Sequence, residues 1–322
     1  MSKKATLNQR LEEAATLRLA GQFDDALMVL GSIEADPDAA LLGHKTTLGL
    51  PRRLHSAYLK LAKAESDAVR KVGLQYNLVP PPATLGKYAS FTLDERKLIA
   101  KVNRENVPKK IHQIWIGSQP APAATAAWQS HATTHHYEYQ LWNEASLESV
   151  GVPENSVYQQ MLSKGDLPGA VDVARYIILQ RFGGVYLDCD WYPVRNDVCF
   201  HDILPMTGLV AIPEEVPRHT GKGSLLLANS FIAAPPDHPV FERLISAVTD
   251  IISELPKAPA WWATGPLLFT LMARGGSVTL ADADMVAGQL PQGTPLSEVK
   301  QWCQQTRLHN NGLLLAWRSW ER

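Results

Sequence analysis

Residues 165–190 read GDLPGAVDVARYIILQRFGGVYLDCD. Asp166 is placed to accept backbone N–H bonds, and Pro168 fits the first turn of a helix. The run to Phe182 carries Val171, Ala174 and Ile178 as an apolar stripe, with Asp172 and Arg175 three residues apart on one face. Gly183-Gly184 stops the helix and permits a positive φ. The apolar strand VYLDCD follows at once and ends in Asp188 and Asp190. With one residue between them, both carboxylates can turn to the same side at the strand end. Paired hard oxygen ligands on a short rigid segment suit a divalent cation that bridges to phosphate, because such ions keep sites for water and substrate. That is chemistry for a diphosphate leaving group. A bare D-x-D is usually only a solvated acidic turn, and Asp172 with Arg175 alone would be an exposed helix pair. The combination carries the weight.

Outward from this stretch the pattern alternates. Ile111 to Ile116, Tyr137 to Trp142, Gly208 to Ile212, Asn229 to Ala234 and Leu313 to Trp317 read as strands. Asp237 is the expected cap of the helix HPVFERLISAVTDIISEL, and Pro266 to Arg274 is a further helix. Alternating strands and helices imply an α/β sheet covered on both faces, with ligands beyond the strand carboxyl ends. Asp188 and Asp190 fall at such an end.

Residues 7–75 show helical periodicity and no strand-like alternation. Gly21 breaks a first helix, and AGQFDDALMVLGSIEADPD resembles the inner half of a tetratricopeptide hairpin. Leu54 to Leu74 is a third amphipathic helix, the Pro80-Pro81-Pro82 run a stiff connector, and Phe91 to Val107 one more helix. The expected organisation is a helical N-terminal region over 1–105 and a sheet domain over 106–322.

With 322 residues, 45% apolar and 20% charged, the composition is that of a globular protein with room for two domains. No apolar run approaches the roughly 20 residues that span a bilayer. The opening MSKKATLNQRLEEAATLRLA is polar, without the apolar region of a secretory signal. A cytoplasmic location is therefore expected, with membrane-peripheral binding or export by another route left open. Residues 1–110 carry a net charge of +6 and residues 111–322 a net −7. The acidic part fits a cation-dependent site; the basic helices could meet a protein or an anionic surface, or simply be solvated. No nucleic-acid partner is expected. Three cysteines, Cys189, Cys199 and Cys303, with no C-x-x-C pair, argue against a disulfide framework and a zinc site. Cys189 reads as a small buried filler, His112 as a buried strand residue, and His131, His135 and His136 as surface.

Asp172 to Asp190, DVARYIILQRFGGVYLDCD, resembles the S-D-x-x-R-Y-x-x-L-x-x-x-G-G-x-Y-x-D-x-D signature of DXD-type sugar transferases. That family includes the yeast initiating α-1,6-mannosyltransferase, bacterial capsule and lipopolysaccharide transferases, and the clostridial glucosylating toxins. PKKIHQIWIG (108–117), ANSFIAA (228–234), Thr264-Gly265-Pro266 and Ser319-Trp320 are similar to further family motifs in the same order, so the resemblance covers about residues 107–320. Two positions depart from it. Val171 stands where Ser is usual, and LLLAWRSW replaces a frequent His-His-Trp ahead of the Ser-Trp.

The resemblance implies the GT-A nucleotide-sugar fold and a metal-dependent, generally retaining transfer of a hexose from a UDP- or GDP-linked donor. It implies that Trp115 lies over the nucleobase, that Tyr186 borders the nucleoside, and that Asp172 and Arg175 hold sugar hydroxyls. Asp188 would contact ribose or metal, Asp190 would ligate Mn²⁺ or Mg²⁺, and Asn229 would bond the donor sugar. Ser319 and Trp320 would close over the diphosphate, with His309, the nearest histidine, as a further metal or phosphate contact. The acceptor is expected to be a glycan or glycolipid, as in polysaccharide assembly; toxin-like modification of a host protein uses the same donor machinery. A haloacid-dehalogenase-like phosphatase also ends a strand in D-x-D, and Asp282 with Asp284 could imitate its later acidic pair. Tyr192 occupies the place where that family wants Thr or Val, and the D-x-x-R helix has no role there. An inactive transferase domain on a helical scaffold is the non-enzyme reading.

Overall fold

The computed structural model describes residues 2–46, 48–78, 82–214, 226–256 and 258–320, and divides into two units, one running through Thr84 and the other starting at Leu85. The boundary falls earlier than residue 105, for a packing reason. Thr92 and Glu95 form a reciprocal capping box that starts the helix Leu93–Val102. Phe91 and Ile99 from this segment bury in the core of the second unit. Asn103 then donates to the Gly276 carbonyl and accepts from the Leu209 N–H. Pro80 and Pro81 lie outside the described residues, and Pro82 opens a short helix, Pro82–Gly86.

The first unit is all helical. Lys3–Leu19, Phe23–Glu34, Arg52–Ala64 and Ala68–Leu78 are its longer helices. Leu7, Leu11, Leu30, Ile33, Leu54 and Leu61 bury together between them. A cleft of about 300 Å³ in this unit is lined by Leu11, Leu30 and Leu61 and by the basic Arg18, Arg53 and Lys60.

Among the described residues the second unit has nine strands: β1 Lys110–Ile114, β2 Glu138–Trp142, β3 Gly184–Leu187, β4 Trp191–Pro193, β5 Val210–Pro213, β6 Leu227–Ala234, β7 Thr279–Leu280, β8 Val286–Gln289 and β9 Leu314–Ala316. Six form a mixed sheet in the order β2-β1-β3-β6-β5-β7, and β4-β9-β8 form a second, smaller one. β1 runs parallel to both β2 and β3, while β6 is antiparallel to β3. Period-2 alternation sends neighbouring side chains to different cores. Val185 and Leu187 join one apolar cluster and Tyr186 the other; Phe231 and Ile232 on β6 divide in the same way. The central sheet is thus covered on both faces, as an α/β architecture requires.

The deciding stretch folds as its residues dictate. Asp166 accepts the Gly169 N–H at 3.0 Å and starts the helix Leu167–Phe182. Gly183 and Gly184 both have positive φ, and a Cβ on Gly183 would sit 2.6 Å from the Pro236 nitrogen. No larger residue fits that corner. One cap differs from expectation. His238, not Asp237, caps the helix Pro239–Glu254, accepting the Val240 N–H, while Asp237 sits in the left-handed region just before it.

Candidate active site

Strand direction gathers the site. β1 and β3 are parallel, so Trp115 and Asp188 leave the sheet at the same edge. The antiparallel register pairs Leu187 with Phe231, which places Ser230 and Asn229 beside the residues after β3. The Asp188 N–H donates to the Ser230 carbonyl at 2.9 Å, extending that pairing by one step. Gln113, buried on β1, donates to the Asp188 carbonyl and is itself fixed by the Tyr139 hydroxyl.

Below that edge lies a buried polar network. Arg175 reaches Asp172 at 3.0 Å and Asp188 at 3.1 Å, and donates to the Asn229 carbonyl at 2.5 Å. Its guanidinium also lies over the Tyr186 ring, 4.6 Å from the centroid. Asp172 accepts from Asn229 Nδ2 at 2.7 Å and from the Thr264 hydroxyl at 2.8 Å. The Tyr176 hydroxyl closes the ring of contacts by donating to the Thr264 carbonyl. This is not an exposed helix pair: the Arg175 and Asp172 side chains keep 4% and 8% of their surface. A buried pair survives only when its remaining donors and acceptors are satisfied, and here they are.

Burial pushes the Asp172 carboxyl up to about 6, with Arg175 opposing the shift. Burial also works against the Arg175 charge, but the carboxylates of Asp188 and Asp172 outweigh it and hold the guanidinium charged. Enclosed in this way, Asp172, Arg175 and Asn229 position Asp188 and the strand ends. Tyr186 is fully buried and donates its hydroxyl to Asp188 at 2.8 Å, so it orients that carboxylate.

The rim is more open. The Asp188 and Asp190 side chains keep 30% and 27% of their surface. Burial and then the neighbouring Asp188 charge push Asp190 up to about 6, while Arg318 opposes the shift. Arg318 approaches Asp190 at 3.6 Å. The C-terminal tail is tied over the same corner, with Trp317 N–H donating to the Asp190 carbonyl at 2.7 Å and Ser319 accepting the Ala123 N–H. Trp320 then meets Trp115, ring centroids 5.1 Å apart and tilted by 58°. Both indoles are half-buried. Trp115 is further held by its indole N–H on the Gln119 carbonyl.

Cys189 is buried, its thiol donating to the Ile114 carbonyl, as a filler should be. His309 is exposed in the turn after the helix Leu296–Thr306 and forms no three-donor cluster with the two aspartates among the described residues. It is not brought in as a third ligand. Asp282 caps the turn Ala283–Met285 through the Asp284 N–H. Thr264, Tyr176, Gln113 and Arg318 are site residues to which the sequence alone assigned no role. Thr264 lay in a recognised T-G-P, and Arg318 lay in the recognised departure before Ser319.

A mixed α/β sheet thus carries paired aspartates at a strand end, with two arginines and a tryptophan pair around them. Residues 122–207 match the family described as a glycosyltransferase sugar-binding region containing a DXD motif. Over 173 residues it is 27% identical to inositol phosphoceramide mannosyltransferase 3 of Schizosaccharomyces pombe, covering 52% of this chain and 44% of that protein. Inositol phosphoceramide mannosyltransferase 2 of the same yeast is 30% identical over 173 residues, with 52% and 46% covered. The chain spans a little under half the length of these relatives. In structure it is similar to the PaToxG glycosyltransferase, with a TM-score of 0.42 and 17% identity over 56% of this chain and 73% of that one.

Proposed function

We propose that the chain transfers a hexose from a UDP- or GDP-linked donor, with a divalent cation, to a glycan or glycolipid acceptor. The observation that carries the reading is the open-faced Asp188–Asp190 pair, backed by Arg175 and faced by Arg318 and the Trp115–Trp320 pair. The donor set fits Mn²⁺ or Mg²⁺. Both ligands are carboxylates, each has a reachable face, and the mutual repulsion that raises Asp190 is relieved by a bound cation. Such an ion supplies charge for a departing diphosphate without proton transfer.

The chain's own groups do the rest. Arg175 and the Tyr186 hydroxyl fix the Asp188 carboxylate in one orientation, so no reorganisation is needed when charge develops. Arg318, half-exposed, is free to turn from Asp190 to a phosphate oxygen. Trp115 offers a flat face for a nucleobase, and Trp320 closes the tail against it and limits water. Retention is taken from the family resemblance, and since no carboxylate among the described residues is assigned as a covalent nucleophile, departure and attack on the same face is the route proposed for it. Lipid-linked acceptors are the favoured class, since the yeast relatives are named for mannosyl transfer to inositol phosphoceramide.

The test is a screen of nucleotide sugars for Mn²⁺-dependent hydrolysis, repeated with Asp190→Ala. Hydrolysis of one donor that disappears in the variant is expected. Full activity of Asp190→Ala without added metal would sink the reading.

A further inference from the structure

Away from the aspartate pair, the end of the helix Ala123–Thr134 meets the one-turn helix Phe200–Ile203. His135, Cys199 and Asp202 each bring a donor atom there, and the three atoms lie within 4.8 Å of one another. No other group of three such donors occurs among the described residues.

The local hydrogen bonds hold these donors together, with the Cys199 thiol also bonded to the Tyr137 hydroxyl and the Asp202 carboxylate. Asp202 takes the Cys199 N–H on Oδ2 at 2.8 Å, a bond that does not use Oδ1. The Cys199 sulfur accepts the Asp202 N–H in return, so a capping box holds thiol and carboxylate at fixed spacing. His135 Nε2 meets the Asn196 carbonyl at 3.1 Å. A proton donated from Nε2 leaves the lone pair on Nδ1. That is how metal-bound imidazoles are commonly held, with the second nitrogen anchored on a backbone carbonyl.

An independent observation lies one helical turn back. The His131 ring centroid is 4.6 Å from that of His135, and the residue is fully buried, whereas the sequence reading put it on the surface. Its Nδ1 meets Asn196 Oδ1, but its Nε2 is the one buried side-chain nitrogen or oxygen among the described residues with no hydrogen-bond partner. An orphan of this kind costs about 1–3 kcal/mol.

We propose that His135, Cys199 and Asp202 bind a zinc-type divalent metal, with His131, which lies beside His135 but outside the 4.8 Å group, shifting in as the fourth donor. Imidazole, thiolate and carboxylate are zinc's donors, at about 2.0–2.3 Å from the ion, so the three need only a small convergence. The Cys199 thiol gives up its proton to solvent on binding, and the two anionic ligands then balance the metal charge. The ion would fasten the end of a long helix to the turn that follows β4, a structural role separate from sugar transfer.

The test uses the full chain carrying Asp188→Asn and Asp190→Asn, stripped of metal with a chelator and titrated with Co²⁺. One equivalent should bind, with a thiolate-to-cobalt charge-transfer absorption and the visible bands of tetrahedral cobalt, and Zn²⁺ should displace it. Cys199→Ser should abolish the charge-transfer band. His135→Ala, at a half-buried helix end, should weaken binding at least tenfold with circular dichroism unchanged, which keeps the test valid if Cys199→Ser does not fold. Absence of the thiolate band, its survival in Cys199→Ser, or unchanged affinity in His135→Ala overturns the site. Unchanged affinity in His131→Ala overturns the fourth donor.

Discussion

The Arg318 guanidinium stands 3.6 Å from the Asp190 carboxylate, and the backbone one residue earlier is bonded to the Asp190 carbonyl through Trp317 N–H. The tail therefore presents a cation to the very group that is proposed to hold a metal. A half-exposed pair of this kind contributes about 0.2–1 kcal/mol. Arg318→Ala should thus tighten Mn²⁺ binding by up to about fivefold, while weakening nucleoside diphosphate binding in the presence of metal. Calorimetric titration of each ligand separates the two effects. Weaker Mn²⁺ binding in the variant would mean that Arg318 does not compete for Asp190.

Trp115 leaves β1 at the same edge and meets Trp320 across the site. Stacking of one base on an aromatic ring is worth about 1–3 kcal/mol. Trp115→Ala should lower nucleoside diphosphate affinity by about 5- to 150-fold and change the melting temperature little, because the indole is only half-buried. Equal affinity in the variant and the parent would remove the nucleobase from this face.

Thr264 donates to Asp172 Oδ2 from a fully buried position. Thr264→Val keeps the shape and deletes the donor, leaving a buried carboxylate oxygen short of a partner. A loss of about 1–3 kcal/mol is expected, read as a lower denaturant midpoint, with Thr264→Ser recovering most of it. If the valine protein is as stable as the parent, Asp172 does not depend on this bond.

Much of this architecture can be read from local pattern. The capped helix, the Gly183-Gly184 corner and the strand ending in Asp188 depend on residues close in sequence, and the fold reproduces them. Network membership cannot be read in that way. Thr264 reaches Asp172 across 92 positions, and Asn229 reaches it across 57. Only the β3–β6 register and the T-G-P turn bring those atoms together. The burial of His131 is hidden for a related reason, since its partner Asn196 comes from the chain beyond β4, as does Phe200, which stacks on the Trp128 that packs against His131. The helix Leu93–Val102 carries no local mark that assigns it to either unit, and only the burial of Ile99 decides.

His112 gives the pH dependence a defined sign. It is buried on β1, with Nε2 on the Gly183 carbonyl at 2.9 Å and Nδ1 accepting from the Trp142 indole N–H. A second ring proton would point at that donor, and burial already lowers the imidazole to about 4 from 6.5. Between those values the unfolded chain takes up a proton that the folded chain refuses. The stabilising contribution is therefore complete above pH 6.5 and is lost as pH falls toward about 4, by up to about 3 kcal/mol. Asp172 and Asp190, both pushed up to about 6, act in the opposite sense, gaining stability as pH falls through that value. They are common to the parent and to His112→Gln, so they cancel in the difference. Unfolding free energies from denaturant titrations at steps between pH 7 and pH 4 should show the parent losing stability relative to His112→Gln as the medium is acidified. Parallel curves would show that the imidazole takes its proton equally well in both states, and that the Gly183 and Trp142 bonds do not hold it neutral.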